Sequence, residues 1–438
     1  MANKKSGNRK NTLYKSQSKA ERRAQKKAVE FAVNHKKGVV TAVCVILVII
    51  IAAALIVYFC FPDLWKRATD AYLEYTQLFY KDSEDDDPSD TGGKAPQGIA
   101  AADKEDIVNS EFSIHFLELG NKYAGDCTLI KCGDTEVLID AGSRTNSAAT
   151  INEYISRYVT DDKIEYVIAT HAHQDHIAGF VGKGSGNNKD GVLYTYGVGT
   201  IIQFAGHNTT SSIYNSYVNA VTYAESKGAV AYTALQCWNN KDGAQRAYDI
   251  SSEQDGSLTL NILYNYYYDH ETADENDYSV CVLLTHTADD NTKSHYLFTG
   301  DLEGKGEEYL VDNNALPQVE LFKGGHHGSK TSSTEKLLKV IKPKNVAVCC
   351  CAGSTEYTSN HDNTFPTQAF IDRISKYTEN VYCTSLCLDY KGGKFESMNG
   401  DIVFMYGVDG LKLWCSNNLT KLKDTEWFAQ NRKGWGIS

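Results

Sequence analysis

Residues 163–176 read Lys-Ile-Glu-Tyr-Val-Ile-Ala-Thr-His-Ala-His-Gln-Asp-His. Lys163 to Ala169 has the apolar content of a buried strand. The stretch then breaks into His171-x-His173-x-Asp175-His176. On an extended or turning backbone His171 and His173 point the same way, so their imidazoles can grip one cation. Asp175 and His176 face a neighbouring position and can hold a second. These ligands would sit at the carboxyl end of a strand, where open α/β sheets place their chemistry. A solvated histidine-rich loop is the bland alternative. It leaves three histidines and an aspartate within six positions without a reason.

Other segments add side chains of the same kind. Leu138-Ile-Asp140-Ala-Gly142 is an apolar strand ending in a carboxylate and a tight turn. Asp140 could orient a ligating histidine from behind. Leu297-Phe-Thr-Gly300-Asp301 delivers another aspartate in the same way, and a carboxylate can bridge a cation pair through its two oxygens. Lys323-Gly-Gly325-His326-His327-Gly328-Ser329 sets paired histidines between glycines, which let the backbone approach a metal or substrate closely. His35, His115, His207, His270, His286, His295 and His361 lack such neighbours and read as surface or core residues.

Together these segments resemble the metallo-β-lactamase fold superfamily, most closely the C-terminal hydrolase domain of the competence proteins that carry DNA across bacterial membranes. The resemblance runs from about Phe112 to Tyr406. It is carried by Gly125-Asp126-Cys-Thr-Leu-Ile130, Leu138–Gly142, Thr170–His176, Asn276-Asp-Tyr-Ser279, Thr299-Gly-Asp301 and Gly325–Lys330. It implies an α/β fold, the αββα sandwich of that superfamily, and a pair of divalent cations, zinc or manganese. His171 and His173 would bind the first cation. Asp175 and His176 would bind the second, Asp301 would bridge, and His326 would complete the second position. Asp175 and His327 are the implied catalytic groups, His327 through contact with substrate or leaving group. Many members carry a third histidine for the first cation; Asn276-Asp277 occupies that place here. Glu118 and Asn121–Ala124 also depart from the usual opening turn.

Charge is distributed unevenly. Residues 1–37 hold twelve Lys/Arg against two Asp/Glu and so carry +10; with −11 overall, residues 38–438 carry −21. Gly38–Cys60 follows as 23 uncharged residues, enough for a bilayer core, which needs about 20 in helix. A cleaved signal peptide would have a shorter apolar region and a small-residue cleavage site. The basic arm before the run sets its orientation. The expectation is a cytoplasmic arm (1–37), one membrane helix in lipid (38–60), and the rest of the chain outside. A stalk and acidic linker (61–110) then lead to the hydrolase domain (111–408) and a C-terminal extension (409–438).

The remaining cues are coarser. Ten of the twelve cysteines lie beyond residue 61 without a CxxC pair, so a structural zinc knuckle is disfavoured. Cys349-Cys350-Cys351 ends an apolar run and reads as strand core. Helices are expected from Tyr214 to Ala224, from near Ser333 with Leu337, Leu338 and Ile341 inward, and with Pro366 in a first turn. Tyr264, Tyr266, Tyr267 and Tyr268 read as strand core rather than as a base-stacking platform.

The function expected is a membrane-anchored, metal-dependent hydrolase, a phosphodiesterase or nuclease acting on nucleic acid or nucleotides. The −21 beyond the arm works against bulk attraction of DNA, which needs a basic surface. Lys323, Lys330, Lys336 and Lys339 could supply a local basic patch. Hydrolysis of a lactam, lactone or other ester is the second reading, and a non-catalytic metal-binding envelope module the third. The sequence identifies no protein partner.

Overall fold

The computed structural model describes residues 110, 112–252, 257–407 and 410–436. The expected basic arm, membrane run and acidic linker lie outside these residues. Among the described residues no helix is long and apolar enough to cross a membrane.

Among the described residues, sixteen strands form two eight-stranded sheets. In chain order they are β1 (Phe112–Phe116), β2 (Thr128–Cys132), β3 (Thr135–Ile139), β4 (Lys163–Ala169), β5 (Gly197–Gln203), β6 (Val230–Thr233), β7 (Ala247–Asp249), β8 (Ser257–Ile262), β9 (Val282–Thr287), β10 (Lys293–Phe298), β11 (Leu321–Lys323), β12 (Asn345–Ala352), β13 (Val381–Asp389), β14 (Lys394–Ser397), β15 (Ile402–Gly407) and β16 (Gly410–Cys415). The first sheet runs β16-β15-β1-β2-β3-β4-β5-β6 and the second β14-β13-β12-β11-β10-β9-β8-β7. β3 to β6 are mutually parallel, as are β10 to β13. Parallel neighbours need crossovers, and helices supply them. Ser147–Ile155, Gln174–Val181 and Ser212–Ser226 serve the first sheet; Gly304–Asn313, Glu335–Ile341 and Gln368–Ile374 serve the second.

The sheets meet face to face. Phe116 packs against Phe298 at 6.3 Å and Phe112 meets the edge of Tyr296 at 5.4 Å. On the outer side of the second sheet, Leu337, Leu338, Ile341, Phe370, Ile371 and Ile374 bury with Phe322, Val346 and Val348. The layering is thus helix, sheet, sheet, helix, the αββα order expected. The cysteine triplet lies in β12 as strand core.

Several local expectations shift. The middle helix starts at Ser212, earlier than expected, because the Ser211 side chain accepts from the Tyr214 N–H. Thr367 caps the helix after Pro366, so the proline precedes that helix instead of sitting in its first turn. Tyr266–Tyr268 is a short 3-10 turn, not strand core. The Asn265 side chain accepts from Tyr267 N–H and holds it, which leaves Tyr266 and Tyr267 half-exposed. The expected boundary at 408 falls inside a hairpin, because β16 pairs with β15 from Gly410 to Cys415.

Glu118, a departure from the usual opening turn, ties the sheets together. Its carboxylate accepts from Ser385 Oγ at 3.0 Å and Ser397 Oγ at 2.8 Å, and its own N–H donates to Asp401 Oδ1 at 2.8 Å. Burial pushes the carboxyl up to about 8, opposed by the two hydroxyls and helped by Asp401. In the unfolded chain it titrates near 4.3. Between those values the folded state holds the extra proton, so this contribution to stability fades as pH rises through that window. Glu118→Gln should therefore lose less stability than the parent between about pH 5 and pH 8, read by urea denaturation across that range.

Two glycines set the spacing between the Asp140 turn and the histidine segment. A Cβ on Gly142 would lie 1.5 Å from the Asp175 carbonyl oxygen, and one on Gly179 would lie 2.5 Å from that of Ala141. The obstacle is backbone in both cases and cannot rotate aside. Gly142→Ala should cost about 3 kcal/mol or more, by the overpacking penalty, and should release bound metal. Denaturant unfolding with metal analysis checks both.

Candidate metal centre

β4 ends at Ala169, and the chain turns into helix Gln174–Val181 with His173 as its N-cap, in extended conformation. His171 and His173 therefore leave extended backbone, while Asp175 and His176 belong to the first helical turn. The strand-to-helix switch brings His171 beside His173 and His176, while Asp175 reaches toward His327. His171 Nε2 lies 3.1 Å from His173 Nδ1. His171 and His176 stack obliquely at 4.1 Å.

Asp140 follows β3 and takes a left-handed backbone, φ 59°. Its carboxylate accepts from Thr170 N–H and Thr170 Oγ1, each at 2.7 Å, and from His176 Nδ1 at 2.8 Å. This fixes the His176 proton on Nδ1 and turns Nε2 inward, the usual second-layer arrangement behind a ligating histidine. Asp140 thus has the supporting place expected of it.

Asp301 is the hub. Its Oδ2 stands 3.1 Å from His176 Nε2, 3.3 Å from His327 Nε2 and 3.8 Å from His326 Nε2. Its other oxygen, Oδ1, lies 3.4 Å from Lys323 Nζ. Lys323 is buried and also bonds Asp126 Oδ2 and, at 3.3 Å, the Gly300 carbonyl. The bridge through both oxygens is therefore reshaped: the lysine claims one, and Oδ2 alone faces the histidines. Burial would raise the Asp301 carboxyl, but His176, His327, His326 and Lys323 hold it well below the ordinary range.

The two histidines of Gly325–Gly328 divide differently from the expectation. Both have left-handed backbone, φ 46° and 53°. This sends their rings apart. His326 is part-exposed and leans on Glu303, with Nδ1 3.2 Å from Oε1. His327 is fully buried. Its Nδ1 donates to the Cys349 carbonyl at 2.9 Å, with Asp126 Oδ1 beside it at 3.1 Å. Its Nε2 is left without a hydrogen-bond partner, 3.3 Å from both Asp175 Oδ2 and Asp301 Oδ2. His327, not His326, thus stands inside the cage. Ligand atoms of Asp126, His176, Asp301 and His327 all lie within 4.8 Å of one another, enough for a metal site.

This donor set fits a cation. A fully buried imidazole nitrogen with no proton partner, flanked by carboxylates, is costly unless something positive sits there. Asp126, Asp140, Asp175 and Asp301 are four buried carboxylates of the cage, and the Lys323 ammonium pairs with only two of them, Asp126 and Asp301. Burial holds His171 well below its ordinary pKa, and the neighbouring imidazoles of His176 and His173 push the same way, so it is a neutral donor. His176 is pulled down by burial yet carried to about 10 by Asp301 and Asp140. That proton marks where a cation would bring the missing charge.

Residues 120–182 match the family model described as the metallo-beta-lactamase superfamily. That stretch holds the Asp126, Asp140 and His171–His176 segments of the cage. A curated relative, Recombination protein 2 of Haemophilus influenzae, is 31% identical over 115 residues, which are 26% of this chain and 13% of that protein. The chain thus matches only a small part of that relative's length. Among solved structures, the metallo-beta-lactamase MIM-1 from Novosphingobium pentaromativorans aligns with 12% identity and a TM-score of 0.27, over 45% of this chain and 68% of that one. BJP-1 of Bradyrhizobium japonicum aligns with 14% identity and a TM-score of 0.27, over 47% and 75%.

Four residues of this site were not assigned roles from sequence alone: Asp126, Lys323 as a cage member, Glu303 and Tyr357. Lys323 had a legible signal, since a lysine directly after Leu321-Phe322 in a three-residue parallel strand must be buried. Asn276, in the place of a third histidine, donates to Glu303 Oε1 at 3.4 Å, and its Oδ1 is buried without a partner.

The division between the paired histidines is testable. His327→Ala should lose one tightly bound cation per chain, whereas His326→Ala should keep its metal content, both read by elemental analysis after gel filtration. Asp140→Asn should weaken zinc affinity by about 10- to 100-fold in chelator competition, the range for second-layer partners.

Proposed function

We propose that this chain is a metal-dependent hydrolase of phosphodiesters in nucleic acid or nucleotides. We further propose that Gly38–Cys60 anchors it in a membrane, with the hydrolase domain outside the cytoplasm. The observation that carries the reaction class is the unpartnered Nε2 of His327, held between Asp175 and Asp301 beside His176. The Haemophilus relative, whose name places it in recombination, supports a nucleic acid substrate. The anchor rests on the uncharged run and its basic flank.

In this reading Asp175, His176, Asp301 and His327, with Asp126 beside them, would hold one cation, and His171, His173 and Asp301 would hold the other. Such cations, zinc or manganese, supply Lewis acidity: they acidify water and neutralise charge growing on phosphoryl oxygens. The protein's part is placement. Asp140 and the Cys349 carbonyl fix the tautomers of His176 and His327, so that both Nε2 atoms face inward. Lys323 pins Oδ1 of Asp301 and aims Oδ2 at the cage. Burial of the whole set strengthens every charge interaction within it.

A lactam or other ester is the second substrate class, since the same cage would polarise a carbonyl. The test is direct. The full chain, purified in detergent with zinc, is given bis-p-nitrophenyl phosphate, single-stranded DNA and nitrocefin in parallel. The diesters should be hydrolysed, and chelation or Asp301→Ala should lower the rate by more than ~100-fold. Cleavage of nitrocefin alone would overturn the phosphodiester reading. Bound metal without turnover of any of them would leave a binding module.

A further inference from the structure

One side chain at the cage is built for contact with something outside it. Tyr357 is 46% exposed, yet its hydroxyl donates to Asp175 Oδ2 at 2.9 Å. That carboxylate oxygen is the one 3.3 Å from the unpartnered His327 Nε2. The tyrosine therefore joins open solvent to the cage.

Its position is enforced from two sides. Phe365 packs against the Tyr357 ring at 5.6 Å, and against the rings of both His326 and His327 at 5.7 Å. The neighbouring Glu356 is buried; it accepts from Arg144 Nη2 at 2.7 Å and from the Ala124 N–H at 2.9 Å. Arg144 leaves the turn after Gly142, so the Tyr357 segment is fastened to the turn that carries Asp140. An exposed aromatic fastened this firmly loses little entropy when it meets a ligand.

A carboxylate oxygen lies about 2.0–2.2 Å from a zinc it binds. The hydroxyl, 2.9 Å from Asp175 Oδ2, would then be within reach of a ligand oxygen that sits next to Asp175 on the same cation. A phenol keeps its proton near neutral pH and offers a donor without adding charge. We propose that Tyr357 is a substrate-contacting residue: its single O–H, donated to Asp175 Oδ2 in this structure, swings to a phosphoryl oxygen held at the Asp175–His327 position once that carboxylate oxygen is committed to a cation. This deepens the metal-site reading and rests on it. It also names the ligand chemistry: a tetrahedral oxyanion with an oxygen to spare beyond those on the metals.

The probe is inorganic phosphate, titrated calorimetrically into the zinc-loaded full chain and its Tyr357→Phe variant. With zinc in excess, zinc content should be unchanged, because the Asp175 ligand atom remains, and phosphate is titrated under that condition so that any change in zinc affinity is separated from phosphate binding. Phosphate should bind about tenfold more weakly, the lower end expected for losing a hydrogen bond to a charged group. On bis-p-nitrophenyl phosphate, kcat/KM should fall by a similar factor. Tyr357→Leu removes the ring as well and serves if the first variant does not fold. Unchanged phosphate affinity, no phosphate binding by the parent chain, or a loss confined to zinc affinity would each overturn the proposal. Phosphate binding that weakens in the variant, with no diester turned over by the parent, would overturn the proposed reaction and leave Tyr357 in its role.

Discussion

The site is organised by one buried carboxylate oxygen. Asp301 Oδ2 is the point on which His176, His327 and, more distantly, His326 converge. Four carboxylates packed away from water repel one another strongly, and Lys323 offsets only part of that charge. Positive charge completes the arrangement: burial pulls both histidines down, yet Asp301 and Asp140 carry His176 to about 10, and Asp301 and Asp126 raise His327 likewise. The same electrostatics suit the cage to a cation in place of those protons. Lys323 does more than balance charge. By bonding Asp126 and Oδ1 of Asp301 it removes the alternatives open to Asp301 and leaves a single oxygen facing the histidines.

The fold exists to bring separate strand ends to that oxygen. Asp140 follows β3, His171 follows β4, Asp301 follows β10 and the His326-His327 turn follows β11. The strands belong to different sheets, so the cage lies where the two sheets open at their carboxyl ends. Three of the nine non-glycine residues with positive φ among the described residues, Asp140, His326 and His327, lie there. Such conformations cost of order 1–3 kcal/mol each and persist only where surrounding contacts over-determine them. Here those contacts are the Thr170 and His176 bonds to Asp140 and the Cys349 bond to His327.

Legibility varied with the range of the interaction. His171, His173, Asp175 and His176 lie within one strand–helix junction, so their spacing alone showed a cage. Asp140 and Asp301 were readable because each ends an apolar strand at a turn. Asp126 was quoted in a matching stretch but received no role, since a lone aspartate before a strand has no pattern of its own. His326 and His327 were readable as a pair but not as individuals, because their division depends on left-handed torsions that no spacing reports. Lys323 was read as part of a basic patch, though its apolar neighbours bury it. The tyrosines after Leu263 were misread because an Asn265 side-chain bond holds a turn where aromatic content suggests strand.

The amino-acid sequence by itself determined the strand–helix origin of the histidine cluster and a donor set suited to cations, while the layered α/β class was legible through the resemblance its motifs carry. The first two depend on the apolar run of one strand and on donors close together in the chain. Only the tertiary structure decided which paired histidine turns inward, that a lysine holds one oxygen of Asp301, and that Tyr357 reaches Asp175 from 182 residues away. Those contacts join strand ends and loops from different sheets, and their geometry is set by how the sheets pack, which no local spacing encodes.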